Sequence, residues 1–337
     1  MKIAISGGAG FIGTALVRAC LDAGHDVLVI DNLSSGTQES IDPRARFYHI
    51  DIRDEKLRTL LQNEHPDIVS YHVSPPQTSM PAEHLLTDAD VHIRGLLNIL
   101  DGCVNASVHK FIFASDGNDL YGHVTAAHLP LSEETPLCPH SSQAIGKAAG
   151  EWYVRYYTRR YGLKHTILRY ADVYGKTPSK HTPLPLLPLH PLDYFIEALR
   201  QRQAPVIRGS GEAVRDHIFI EDVVSANLAA LHLGENATLH ISSGCGYSLN
   251  QLYHQVARSM GSKSRPLYLA SASAEPASII LANTRAQQIL GWQPAVSLSE
   301  GIERILRRSC QPDQSQAIHA DPPVALHSHD VLSPGKS

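Results

Sequence analysis

Nowhere does the 337-residue sequence hold a run of about 18 apolar residues, the length a helix needs to cross a bilayer. Its opening, MKIAISGGAGFIG, meets glycine too early to form the apolar region of a secretion signal. Cysteine is scarce. Cys20, Cys103, Cys138, Cys245 and Cys310 are odd in number and far apart, which fits a reducing cytoplasm better than a disulfide framework. No Cys-x-x-Cys or His-Glu-x-x-His pattern occurs, so the 20 scattered histidines support no metal. A surplus of basic charge is also missing. The net charge of −4 gives no broad positive field for nucleic acid. There is no internal repeat, and from about Gln311 the apolar periodicity fades, so residues 311–337 are expected to be a disordered tail. These absences leave a cytoplasmic protein with no membrane, nucleic-acid or metal partner as the expectation.

What is present is a globular composition, 43% hydrophobic and 18% charged, in a chain long enough for two domains. Short apolar runs recur at 2–6, 26–30, 46–50, 67–71, 110–115 and 165–170, each rich in β-branched or aromatic residues. Runs of this kind suit strands covered on both faces of a parallel sheet. Helical periodicity fills the gaps: FIGTALVRACLDAG up to Gly24, then residues 88–106 and 141–162. Alternating strands and helices predict an α/β fold, a Rossmann-like doubly wound parallel sheet. After Gly175 the pattern breaks. Pro178, Pro183, Pro185, Pro188 and Pro191 exclude a helix or central strand there. Helical patterning resumes at 192–202 and 221–233.

The first strand runs directly into Gly7, Gly10 and Gly13, with a helix following. Gly7 permits a tight turn, Gly10 a close approach of backbone to a pyrophosphate, and Gly13 close packing of helix on strand. The helix N-terminus then offers free N–H groups to an anion. At the end of the second strand stands Asp31, a carboxylate able to hold both ribose hydroxyls of adenosine and to repel a 2′-phosphate. The expected cofactor is therefore NAD rather than NADP. Asp51 and Ile52, after the third strand, are placed to meet the adenine.

These features, with DNLSSG, FIFASDGNDLYG, GKAAGE, LRYADVYG, RDHIFIEDV and SGCGYSLNQL in order, resemble the extended short-chain dehydrogenase/reductases, the group of nucleotide-sugar epimerases and dehydratases. The likeness spans residues 1–308. It implies an NAD-binding Rossmann domain at 1–175 with a return segment near 213–238. A smaller C-terminal substrate domain would come from 176–212 and 239–310. It further implies a small-molecule substrate, possibly a nucleotide sugar, and a homodimer paired through the helices at 96–104 and 148–157. The implied cofactor set is Gly7, Gly10, Phe11, Ile12, Gly13, Asp31, Asn32, Asp51, Ile52 and Lys147.

The same likeness exposes departures. The family moves a proton with a tyrosine four residues before a lysine; here Lys147 is preceded by Gln143, and no other lysine has a tyrosine at that spacing. Glutamine has no useful acid or base pKa. The position of the family's Ser or Thr falls at Asp116 or Gly117, after Ser115. His92 and Asp172 replace asparagines, and Asp172 sits where a diphosphate is often bound. Arg215 matches a phosphate-binding arginine, or else pairs with Asp216 or Glu221. Asp116 is the substitute base, or a turn cap. His92 could relay a proton, but is expected to be satisfied within the fold. Cys138 and His140 are expected to be ordinary loop residues, and Tyr121 structural. Two outcomes stay open: an enzyme with a non-standard acid/base, and a catalytically silent NAD-binding sensor or scaffold.

Overall fold

Apolar side chains that alternate across a strand need cover on both sides, and the chain supplies it. In a computed structural model, which describes residues 1–75, 85–122, 124, 126–175, 190–270 and 278–310, seven parallel strands form one sheet. They are β1 (Lys2–Ser6), β2 (Asp26–Asp31), β3 (Arg46–His49), β4 (Ile68–Tyr71), β5 (Lys110–Asp116), β6 (Lys164–Tyr170) and β10 (Ala237–Ile241), in the order β10-β6-β5-β4-β1-β2-β3. Ile3, Ile5 and Val29 pack with Leu16 of helix α1 (Phe11–Asp22) and Val223 of α7 (Ile220–His232). Ala4, Leu28 and Val69 face the other way, onto Leu57 of α2 (Lys56–Glu64), Ile99 of α4 (Leu96–Asn105) and Val154 of α5 (Ser142–Tyr161). Strand order reverses beside β1, whose neighbours are β2 and β4. That reversal opens a crevice at the strand ends where ligands bind in such sheets.

Local signals set the helix ends. Ser141 caps α5 by accepting from the Ala144 N–H at 3.1 Å, and Gly162 ends it at φ +75°. The periodic stretch at 88–106 is not one helix. A short α3 (Leu85–Ala89) passes through a wider π turn, Asp90–Gly95, into α4. The widened turn seats Gly95 against Ile52, where a Cβ would come within 2.5 Å of the Ile52 side chain. Residues 176–189 of the proline-rich segment and the tail at 311–337 lie outside the described residues; Pro191, expected to exclude a helix, instead opens one at its first turn, where the N–H it lacks would have had no partner within the helix.

A second core gathers Leu192, Phe195 and Ile196 of α6 (Pro191–Arg200) and Leu252, Tyr253 and Val256 of α8 (Leu249–Ser259) with Ile302 of α10 (Leu298–Cys310). The boundaries differ from those expected. Of the return segment 213–238, α7 lies on the main sheet, but β9 (Val214–Phe219) pairs with β7 (Asp172–Tyr174) and β11 (Gly246–Ser248) in a separate three-stranded sheet. Strand β10 carries the main sheet on to Ile241. Ile279, Leu281, Leu290 and Trp292 return to its core, the last two at and beyond the end of α9 (Thr284–Leu290). A third, two-stranded sheet joins β8 (Val206–Arg208) to β12 (Leu267–Leu269).

Candidate active site and cofactor cradle

The crevice begins at the glycines. Gly7 turns the chain at φ +74°, and a Cβ there would strike the His72 carbonyl oxygen at 2.7 Å. At Gly13 a Cβ would lie 2.1 Å from the Gly7 carbonyl oxygen, so α1 abuts the loop as glycine alone allows. Gly7 and Gly10 line the cleft. Phe11 and Ile12 instead turn their side chains toward the second core, leaving only their backbone to the cradle.

Asp31 closes the far wall. One carboxylate oxygen accepts from the Ala9 N–H at 2.9 Å and the other from the Leu33 N–H at 2.8 Å, so it braces the glycine loop and its own turn. Asn32 donates to Asp51 at 2.7 Å. Arg53, which sequence reasoning missed, grips Asp51 with two side-chain bonds of 2.8 Å and reaches Asp90 at 3.1 Å. The Arg53 guanidinium holds the Asp51 carboxyl well below the usual carboxylate range. Ile52, Arg53 and His72 also line this cleft.

Lys147 is buried on α5. Its Nζ donates to the Ala114 carbonyl at 2.8 Å and the Val73 carbonyl at 3.1 Å, above the rings of Phe113 and Tyr71. Burial pushes its pKa down to about 8, against the pull of Asp116. Gln143 lies one turn earlier. Ser115 points elsewhere, donating to the buried Glu151 at 2.8 Å. Gly117 has no room for a side chain: a Cβ would sit 2.6 Å from both Leu281 Cδ1 and the Tyr170 carbonyl oxygen. Asp116 caps its turn, one oxygen accepting from the N–H groups of Asn118 at 2.7 Å and Asp119 at 3.1 Å. Burial and the Asp119 charge raise its pKa.

Asp172 accepts from Asn118 Nδ2 at 2.6 Å. Burial of the carboxylate pushes it up to about 7, opposed by Arg215 and assisted by Asp116. Solvent at its open edge, 37% of the side chain, tempers the first effect. Arg215 bonds neither of its expected partners. It meets Asp119 at 3.5 Å, while Asp216 accepts from the Ser243 and Gly244 backbones and Glu221 pairs with Arg304. His92 also differs from expectation. It packs on Gly146 beside Lys147, burial pushes it down to about 3, and its Nε2 has no hydrogen-bond partner among the described residues. His140 bonds the Cys138 carbonyl rather than its sulfur, and Tyr121 bonds Arg169 and His240 within the fold. Sequence reasoning also missed His72 and His190, which no quoted motif holds, and Asn118 and His217, which lie inside FIFASDGNDLYG and RDHIFIEDV without being singled out.

Comparison with known proteins agrees with the fold. The sequence model of the NAD dependent epimerase/dehydratase family matches residues 3–241. The chain belongs to that family. A UDP-glucose 4-epimerase of Mycolicibacterium smegmatis is 31% identical over 310 residues, covering 90% of this chain and 97% of the relative. The solved UDP-glucose 4-epimerase of Thermotoga maritima, with UDP-glucose, superposes with a TM-score of 0.86 at 34% identity, covering 92% of this chain and all of that one. That of Thermus thermophilus, complexed with NAD, gives 0.82 at 28% and the same coverage. Within this epimerase/dehydratase framework the cradle fits a dinucleotide. A Cβ at Gly10 would meet only the Gly7 carbonyl oxygen, at 3.3 Å, so the space before α1 is open to a phosphate. Asp31 keeps acceptor capacity for ribose hydroxyls beyond its two backbone bonds. No described helix is long and apolar enough to cross a membrane.

Proposed function

We propose that this family member is an NAD-dependent enzyme acting on a nucleotide sugar or a related small metabolite, with Asp116 rather than a tyrosine moving the hydroxyl proton. NAD, when bound, supplies reversible hydride transfer. The glycine loop and Asp31 hold it, and Lys147 hydrogen-bonds its nicotinamide ribose. Arg215 and Asp172 contact the substrate. The observation that carries the reading is Asp116 at the carboxyl end of β5. One oxygen is committed to the turn, and burial has moved its pKa toward the working range of a general base. Its charge is close enough to Lys147 for the two to bias each other.

The alternative, a catalytically silent NAD-binding protein, is favoured by one observation. Gln143 at the tyrosine's place, and Asp116 or Gly117 at that of the Ser or Thr, leave no hydroxyl where the resemblance requires one. Interconversion of UDP-glucose and UDP-galactose by the NAD-loaded protein separates the two. Asp116→Asn is expected to lower the rate about 10²–10⁴-fold, and Gln143→Tyr to raise it. An undiminished rate in Asp116→Asn would remove Asp116 from the mechanism. No turnover by either the unaltered protein or Gln143→Tyr, with NAD bound to both, would leave the silent reading.

A further inference from the structure

Glu151 stands on α5 one turn after Lys147 and is wholly buried. Its carboxylate is hydrogen-bonded on both oxygens. Oε1 accepts from the Ser115 hydroxyl at 2.8 Å and from Arg169 Nε at 2.8 Å, and Oε2 accepts from Arg169 Nη2 at 2.7 Å and from Arg155 Nη2 at 3.0 Å. An ionised carboxylate offers about four acceptor positions, so all are filled. Arg169, itself 3% exposed, turns its remaining nitrogen to the Tyr121 hydroxyl at 2.7 Å and the Glu133 carbonyl at 3.2 Å. Burial works against the charge on Glu151, and the Arg169 guanidinium outweighs it, holding the carboxyl below its ordinary range.

Stability alone does not account for such a pair. Removing two ions from water is costly, and apolar side chains of similar volume often serve a core as well or better. The partners show what the pair fixes. Lys147 and Glu151 grip consecutive residues at the end of β5: Lys147 Nζ donates to the Ala114 carbonyl at 2.8 Å, and Glu151 holds the Ser115 hydroxyl. Arg169 stands opposite Ser115 in the β5–β6 register. Arg155, on the next turn of α5, donates to the Thr238 hydroxyl of β10 at 2.9 Å. Glu151 therefore ties α5 to β5 and β6 directly, and through Arg155 to β10 beside them.

This placement bears on Lys147. Of the three N–H groups on its ammonium, the Val73 and Ala114 carbonyls take one each, and the third is left for the nicotinamide ribose. With two bonds made, the direction of the third follows from where α5 sits over the end of β5. A slide of the helix against the strand would turn that N–H aside, and hydrogen bonds weaken steeply with misalignment.

We propose that Glu151 is a positioning residue for the cofactor. Through Ser115 and Arg169 it sets the seat of α5 on β5, and so aims the free N–H of Lys147 at the nicotinamide ribose. This rests on the role of Lys147 in the proposed function.

The test is a double-mutant cycle on NAD affinity, measured calorimetrically with the full chain, and it needs no turnover. Glu151→Gln would leave the Arg169 charge buried and unpaired, so the first variant is Ser115→Ala, which deletes one link between α5 and β5 and uncovers no charge. Ser115→Ala is expected to weaken NAD about 3- to 10-fold when Lys147 is present, and by less than about 1.5-fold in a Lys147→Met background. Glu151→Leu combined with Arg169→Met, which replaces both ions by apolar groups, is expected to fold and to weaken NAD about 10-fold, again only where Lys147 is present. Equal losses in the two backgrounds, or none in either, overturn the proposal; the role of Lys147 then survives if Lys147→Met by itself weakens NAD. Unchanged affinity in Lys147→Met removes that role and the proposal together.

Discussion

Replacing Lys147 by methionine is expected to make the protein more stable at neutral pH and worse at holding its cofactor. Lys147 is only 9% exposed, and its pKa falls from 10.5 to about 8 because burial disfavours the charge. That drop corresponds to about 3 kcal/mol against the folded state, at about 1.4 kcal/mol per tenfold change in proton affinity. Methionine fills similar space without a charge. The Val73 and Ala114 carbonyls would lose their donor, returning about 1 kcal/mol each. The net gain is therefore about 1 kcal/mol. The sign of its pH dependence follows from linkage. A lysine with a depressed folded pKa destabilises fully below pH 8, and its penalty disappears as pH rises from about 8 toward 10.5, where the unfolded chain binds more protons. Lys147→Met should thus lead at pH 7 and lose that lead by about pH 9.5, where the neutral amine still serves the carbonyls. Urea unfolding at the two pH values, with NAD titration alongside, measures all of this. A variant less stable than the unaltered protein at pH 7 would refute the claim that burial of the charge dominates at this site.

Asp31→Ala should weaken NAD more than NADP, because it removes both the ribose acceptors and the charge that repels a 2′-phosphate; tighter binding of NADP than NAD by the unaltered protein would contradict the assignment. We also expect a homodimer, since α5 leaves Ile145, Trp152 and Tyr156 exposed on its surface; light scattering that gives a monomer at micromolar concentration would contradict it.

The sheet was legible because its strands are covered on both faces and so read as unbroken apolar runs. The cradle was legible because close backbone packing admits glycine at fixed intervals, and Asp31 follows from its place at a strand end. Strand β10 escaped because ATLHI is short and polar at two positions, and β7, β8, β11 and β12 are only three residues long. The π turn escaped because an inserted residue barely disturbs helical periodicity. The polar partners escaped for a different reason. Arg215 meets Asp119 across 96 residues, and His190 meets His217 across 27, so pairing is set by how the two cores dock and not by local spacing. The loss of a hydroxyl at position 116 or 117 could be read from the sequence. That position 117 is closed to a side chain could be read only from Leu281 and Tyr170 around it.

The way the chain passes back and forth between its two cores limits how the protein can be divided. A fragment ending at Gly175 would contain every residue expected to bind the cofactor but not β10, which covers the outer edge of β6 from Thr166 to Tyr170. Freed of that neighbour, β6 would present unpaired N–H and C=O groups to other chains, an invitation to aggregate. The same fragment would lose Ala226 and Val223 from above the sheet and Trp292, whose indole N–H donates to the Asp222 carbonyl at 3.1 Å. The nucleotide half therefore cannot be lifted out as a cassette or exchanged by a single crossover. Variation in what the protein accepts has to arise in place, by side-chain replacement along strands such as β7 and β9, whose backbones remain tied to both cores.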